Sequence, residues 1–132
     1  MKISIITVCF NAADTIGDTI LSVINQDYND IEYIIVDGGS TDNTAKIVSN
    51  YNEHVDLFIS EKDNGIYDAI NKGIKASSGD IIGLLNADDE FFNSNVVTTI
   101  AKSFINQVEL ESVIGDVVFI NKFNKITRKY SS

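Results

Sequence analysis

The chain has 132 residues, 44% of them hydrophobic and 22% charged, with a formal net charge of −9, which describes about one globular domain and excludes a disordered or collagen-like polymer. So acidic a chain is a poor general binder of nucleic acid, which needs basic surface to displace counterions, and no apolar run reaches the roughly 18 residues that span a bilayer. The single cysteine, Cys9, excludes an intrachain disulfide and a cysteine-based zinc site; it reads as a small buried apolar residue at a strand end.

The opening Met1-Lys2-Ile3-Ser4-Ile5-Ile6 lacks a signal-peptide layout, so a cytoplasmic location is expected. Ile3 to Cys9 is apolar and β-branched and predicts a first strand. Asn11 and Asp14 then look like a helix cap and its third-position acid, followed by Ile16, Ile20, Val23 and Ile24 at helical spacing. A second strand is predicted from Ile31 to Val36, running into Asp37-Gly38-Gly39-Ser40. Thr41 and Asp42 suit the start of a helix whose inner face is Ile47, Val48 and Tyr51.

Val55 to Ser60 predicts a third short strand, and Glu61 to Gly65 a polar loop. Ile66, Ile70 and Ile74 recur every fourth residue and mark a helix with one apolar stripe, which Gly79 closes. Ile81 to Leu85 is a continuous apolar run of the kind that forms a strand buried on both faces, and it ends in the acidic turn Asn86 to Glu90. Val96, Val97, Ile100, Ala101, Phe104 and Ile105 predict the last helix; Val113 to Ile120 and Ile126 to Tyr130 predict two more strands. Alternating strands and helices of this length argue for an α/β fold with a mainly parallel sheet, read as one domain over residues 1–132.

In open parallel sheets ligands bind beyond the carboxyl ends of the strands. The turns there carry Phe10-Asn11-Ala12, Asp37-Gly38-Gly39-Ser40, Glu61-Lys62-Asp63-Asn64-Gly65 and Asn86-Ala87-Asp88-Asp89-Glu90, so three of the four bring carboxylates to one rim. Two unit charges 4 Å apart repel by roughly 4 kcal/mol at an effective dielectric near 20. Such a rim is therefore either well solvated or neutralised by a cation, and its place at the ligand-binding end favours the cation. A hard ion such as Mg²⁺ or Mn²⁺ prefers carboxylate and phosphate oxygens and takes only one or two protein carboxylates. Asp88-Asp89 would serve it, leaving positions for a substrate diphosphate; the bland alternative is that Asp88, Asp89 and Glu90 merely begin a turn.

Asp37 has two readings. Its carboxylate could accept hydrogen bonds from a base N–H or a ribose hydroxyl, with the two glycines allowing close approach, or it could cap the Gly-Gly-Ser-Thr turn. Neither a Gly-x-x-x-x-Gly-Lys loop nor a Gly-x-Gly-x-x-Gly fingerprint is present. The lone His54 reads as solvent-facing, and no Ser-His-Asp or Cys-His grouping can be assembled. Lys122, Lys125, Arg128 and Lys129 form a basic tail that reads as a solvated edge, with contact to an anionic membrane surface as the functional alternative.

Four segments, Ser4-Ile5-Ile6-Thr7-Val8-Cys9-Phe10-Asn11, Val36-Asp37-Gly38-Gly39-Ser40-Thr41-Asp42-Asn43-Thr44, Asp63-Asn64-Gly65-Ile66-Tyr67-Asp68-Ala69-Ile70-Asn71-Lys72-Gly73 and Gly83-Leu84-Leu85-Asn86-Ala87-Asp88-Asp89, together resemble glycosyltransferase family 2, the inverting enzymes with a GT-A fold. Order and spacing both match, over most of the chain up to about Phe92, and Gly115-Asp116-Val117 looks like family members that build bacterial surface polysaccharides. The resemblance implies a GT-A (Rossmann-like) α/β/α sandwich that stops before the acceptor-binding part, as a piece of a longer enzyme would.

It also implies roles. Thr7, Val8 and Asn11 would line a nucleotide pocket, Asp37 would hold the base, and Asp63 and Asn64 would sit near base and ribose. Asp88 and Asp89 match the Asp-x-Asp-type motif, with Asp89 the direct metal ligand and Asp88 nearer the ribose; the first position of the longer pattern, often Asp, is Asn86 here. The implied partners are a nucleoside-diphosphate sugar, a UDP-sugar favoured, and a glycan or lipid-linked acceptor in bacterial exopolysaccharide, capsule or lipopolysaccharide synthesis. The general base is expected beyond Ser132, so this chain should bind the donor better than it transfers sugar. The alternatives are a non-catalytic nucleotide-sugar-binding module; a phosphoacceptor signalling domain, which needs acids where Phe10-Asn11 stand; and a nucleotidyltransferase, which needs a basic glycine-rich loop after the first strand.

Overall fold

The computed structural model describes residues 1–121 and 123–131; Lys122 of the basic tail and Ser132 lie outside the described residues. The chain divides into two compact units, Met1–Ala101 and Lys102–Ser132.

The first unit carries a four-stranded parallel sheet in the order β3-β2-β1-β4, built from β1 (Ile3–Cys9), β2 (Ile31–Asp37), β3 (Leu57–Ser60) and β4 (Ile81–Leu84). All seven residues of β1 are buried, as expected of a central strand covered on both faces. One core gathers Ile3, Ile5, Tyr33 and Ile35 under Ile16, Ile20 and Val23 of α1 (Ile16–Ile24), Val48 of α2 (Thr44–Ser49), and Val97 and Ala101 of α4 (Val96–Asn106). A second, smaller core places Ile6, Val8, Ile34 and Val36 under Ala69 of α3 (Ile66–Ala76). The mainly parallel α/β architecture is therefore the observed one. Among the described residues no helix is long and apolar enough to cross a membrane.

Several local expectations are corrected. Asn11 is not the cap of α1, which begins at Ile16; it sits in the left-handed region at φ 49°, and its side chain bonds another loop instead. Helix α2 begins at Thr44 rather than at Thr41 or Asp42, because Asp42 accepts the N–H of Thr44 at 2.9 Å and its hydroxyl at 2.5 Å. Strand β3 begins at Leu57, two residues after Val55.

On α3 only Ile70 of the stripe Ile66-Ile70-Ile74 packs on the smaller core, half-buried; Ile66 and Ile74 are exposed, and Ala69 and Gly73 turn inward. A β-carbon on Gly73 would stand 2.5 Å from Cγ2 of Ile6, so the helix lies too close to β1 for a branched residue to face it. Gly79 does not cap α3, whose C-cap is Ser77; it is required because a β-carbon there would meet Oγ and N of Ser4 at 2.6 and 2.7 Å.

Strand β4 ends at Leu84 and is only half-buried, on one face, with Ile82 and Leu84 exposed on the other. It pairs with β1 alone, and α3 packs over β1 and β2, leaving that face of β4 uncovered. In the second unit the long strand expected from Val113 is shorter: β5 (Val117–Ile120) forms an antiparallel pair with β6 (Ile126–Tyr130), joined by an edge-on contact of Phe119 with Tyr130 and by the Lys129–Asp116 ion pair at 3.6 Å.

Candidate functional site: the carboxyl edge of the sheet

Parallel strands bring their following loops to one edge, and register decides which side chains stand abreast there. Cys9, Asp37 and Ser60 are paired in one row across β1, β2 and β3. Asp37 is fully buried in the middle of that row. Its Oδ2 accepts the hydroxyl of Ser60 at 2.7 Å, its Oδ1 accepts the hydroxyl of Ser40, and the Ser40 N–H reaches both oxygens at 3.1 and 3.2 Å. The Cys9 thiol lies 3.8 Å from Oδ1. Burial first, then the neighbouring Asp37 carboxylate, pushes that thiol up from 9.0 to about 12, so it stays protonated and unreactive at neutral pH.

The clasp extends to the first loop. The Asn11 N–H donates to Oγ of Ser40 at 2.8 Å, and the Asn11 side-chain oxygen accepts the Thr41 N–H at 2.9 Å. Ala12 and Ala13 donate to Thr44 and Asp42. Bonding to the Thr44 hydroxyl, ahead of the smaller opposing effect of desolvation, holds the Asp42 carboxyl below its usual range. The third loop packs on the second: a β-carbon on Gly38 would touch the Asp63 carboxylate, and Gly39, at φ +84°, lies against the main chain of Lys62. Asp63 also accepts the Gly65 N–H at 2.8 Å, and Asn64 donates its N–H to Asp68 at 3.1 Å, which closes the first turn of α3.

The fourth loop is anchored by alternation. Leu85 and Ala87 are buried in the larger core beside Cys9, while Asn86, Asp88 and Asp89 are exposed. Leu85 continues the pairing with β1, donating to the Ile6 carbonyl at 3.0 Å. The turn is closed by Asp89 N–H to the Asn86 carbonyl at 3.0 Å and by the Asn86 amide to Oδ2 of Asp89 at 3.2 Å. Asp88 has no hydrogen-bond or ion-pair partner among the described residues.

Because β2 and β4 flank β1, the Asp37 row and the Asp88–Asp89 turn follow strands two places apart in the sheet and lie at the same carboxyl edge. Among the described residues no three acids, histidines or cysteines are gathered as a metal cage. Two exposed, adjacent carboxylates of hard oxygen donors nevertheless fit Mg²⁺ or Mn²⁺, which leave most positions to water and phosphate.

The structure thus places Asn11, Asp63, Asn64, Asp88 and Asp89 at the surface of one edge. Thr7 and Val8 do not reach it. Both are buried, the Thr7 hydroxyl is within 3.1 Å of that of Tyr33, and they could meet a ligand only through main chain. Of the two readings of Asp37, the cap is the one realised by its contacts. His54 is exposed between α2 and β3, as expected. Sequence reasoning did not single out Ser40 and Ser60, the partners of Asp37, or Phe10, whose ring is 64% exposed directly after β1 and can stack on a base. Phe10 carried a signal, a large aromatic in a polar loop; Ser60 carried none before the register was known.

The chain matches the family model described as Glycosyl transferase family 2 over residues 4–131. It is 40% identical over 96 residues to an uncharacterized glycosyltransferase of Mycobacterium tuberculosis, covering 72% of this chain and 37% of the relative. It is 33% identical over 122 residues to a poly-beta-1,6-N-acetyl-D-glucosamine synthase of Staphylococcus aureus, covering 91% of this chain and 29% of the relative. Its fold is similar to S. aureus TarS 1–349 in complex with UDP-GlcNAc, with TM-score 0.74 and 26% identity over 80% of this chain and 32% of that one. It is also similar to the mannosyltransferase PcManGT from Pyrobaculum calidifontis in complex with GDP-Man and Mn²⁺, with TM-score 0.73 and 22% identity over 92% and 36% of the two chains. The chain spans about a third of the length of these proteins.

Proposed function

This chain belongs to glycosyl transferase family 2, and from that premise we propose that it is the donor-binding part of a metal-dependent, inverting glycosyltransferase that uses a nucleoside-diphosphate sugar, a UDP-sugar first. The observation that carries the reading is the sharing of one sheet edge by a laced, pre-formed loop cluster (Asn11, Ser40, Gly38, Asp63) and a turn with two exposed carboxylates, Asp88 and Asp89. A base stacked on Phe10 beside Asp63 and Asn64 would direct its diphosphate toward β4. There Asp88 and Asp89 would hold Mg²⁺ or Mn²⁺, which supplies charge neutralisation for the departing diphosphate. Asp37 supports this surface from below by fixing Ser40 and Ser60.

In the reaction an acceptor hydroxyl would form a bond to the anomeric carbon while the bond to the diphosphate oxygen breaks. The hydroxyl proton would pass to a base outside residues 1–132. A glycan or lipid-linked acceptor in bacterial surface-polysaccharide synthesis, at the cytoplasmic face of the membrane, completes the reading. The second reading is a nucleotide-sugar-binding module without turnover.

Calorimetric titration with UDP, GDP and CDP, with and without Mn²⁺, tests the proposal. Saturable, Mn²⁺-dependent binding that weakens at least tenfold in Asp89→Asn is the expected result. Equal binding by both proteins removes Asp89 from the metal site, and no binding of any of the three nucleotides removes the function. Sugar transfer by the isolated chain would overturn both the placing of the base outside residues 1–132 and the reading as a module, and would leave the donor site in place.

A further inference from the structure

The β5–β6 hairpin gathers basic and aromatic side chains on one surface. Residues 117–132 hold four basic residues, Lys122, Lys125, Arg128 and Lys129, and no acid, whereas residues 1–101 hold sixteen acids against five lysines. Register sorts the hairpin side chains. Val117 is paired with Tyr130 and Phe119 with Arg128, and residues two apart on a strand share a face, so these four stand together. Val117, Phe119 and Tyr130 are each about half exposed, and Arg128 is exposed beside them. Its guanidinium lies 4.9 Å from the centre of the Tyr130 ring, which Phe119 meets edge-on at 5.9 Å. At the turn, the Asn121 side-chain oxygen accepts the N–H groups of Phe123 and Lys125 at 2.9 and 3.1 Å, and the Asn121 N–H donates to the Lys125 carbonyl at 3.0 Å. That bonded turn presents Phe123, 70% exposed, with Lys125 exposed two residues on.

We propose that this hairpin is a docking surface for a bilayer carrying anionic lipid headgroups. Phe119, Phe123 and Tyr130 would enter the headgroup layer, and Lys125 and Arg128 would meet the lipid phosphates. A two-stranded hairpin left bare in water is marginal, so its apolar face calls for a cover. Composition selects the cover: aromatic rings set among Lys and Arg suit the bilayer interface, whereas the cores of protein interfaces are poor in lysine. Lys129 adds little, because it is paired with Asp116 at 3.6 Å. The net charge of −9 does not decide the matter, since the field of an exposed charge fades over about 8 Å at physiological salt and the local sign prevails. The inference adds to the proposed membrane location the surface that makes the contact, and it does not depend on the donor site.

Co-sedimentation of the full chain with vesicles tests it, using phosphatidylcholine alone and phosphatidylcholine mixed with phosphatidylglycerol, for the wild-type protein, Lys125→Gln/Arg128→Gln and Phe123→Ser. The wild-type protein is expected to bind the mixed vesicles, to bind them less as salt rises, and to leave the neutral vesicles alone. Each Lys or Arg at such a surface contributes about fivefold, so the double variant should bind about thirtyfold more weakly. Phe123→Ser changes an exposed tip whose turn is bonded through Asn121; it should keep the fold and bind about tenfold more weakly. Failure of the wild-type protein to bind the mixed vesicles overturns the proposal, whether or not the protein binds UDP. Equal binding by all three proteins moves the contact off this hairpin and overturns it as well. A wild-type protein that dimerises without vesicles, beside a monomeric Phe123→Ser, would give the face to a second copy instead.

Discussion

The carboxylate of Asp63 lies directly over Gly38: a β-carbon added at Gly38 would stand 2.6 Å from Oδ2 and 3.1 Å from Cγ of Asp63. The loop after β2 therefore reaches the loop after β3 only because residue 38 has no side chain. Asp63, half-buried and bonded to the Gly65 N–H, cannot swing away without opening the entry to α3. Gly38→Ala is expected to displace Asp63 and weaken UDP binding about tenfold, equivalent to about 1.4 kcal/mol, while the global melting temperature falls only slightly. Unchanged UDP affinity in this variant would show that Asp63 does not face the nucleotide.

Asp37 leads to a different expectation. Its oxygens accept the Ser40 N–H, the Ser40 hydroxyl and the Ser60 hydroxyl in a fully buried position. In Asp37→Asn one oxygen becomes an NH2 group, which cannot accept the Ser40 N–H and pairs with a serine hydroxyl only if that hydroxyl turns to accept; losing an acceptor in this buried network costs about 1–3 kcal/mol. Urea unfolding should show a loss of that size, with the slope unchanged. Wild-type stability in this variant would show that the clasp around Asp37 adds nothing to the stability of the fold.

A pH effect belongs to the opposite end of the sheet. Glu32 accepts the Ser4 hydroxyl at 2.5 Å, the Ser78 hydroxyl at 2.6 Å, the Ser78 N–H at 2.8 Å and the Lys2 ammonium at 3.0 Å. Desolvation alone would raise its pKa, but these bonds outweigh it and lower it from 4.5 to about 2. The native state holds this carboxylate ionised more tightly than the unfolded chain does. Its contribution is therefore complete above about pH 4.5 and is lost as pH falls toward 2. Denaturant melts at stepped pH should show the wild-type protein losing more stability across that window than Glu32→Gln. Parallel curves for the two proteins would remove Glu32 as the linked group.

The sequence by itself determined the order of the elements, the parallel sheet and the loops that meet at its carboxyl edge. Those follow from local periodicity and from the chirality of strand connections, which operate on short stretches of chain. It also displayed Asp88 and Asp89, because an acidic turn after an apolar strand is visible without knowing its neighbours. Only the tertiary structure decided which face of α3 packs. Ile66, Ile70 and Ile74 carry the periodic signal, but Ala69 and Gly73 face β1, because the separation of helix and sheet admits nothing larger. Likewise Asp37 became a buried clasp only when register set Ser60 beside it across a strand distant in sequence. Such a pairing depends on distance in space, about which neither residue alone carries information.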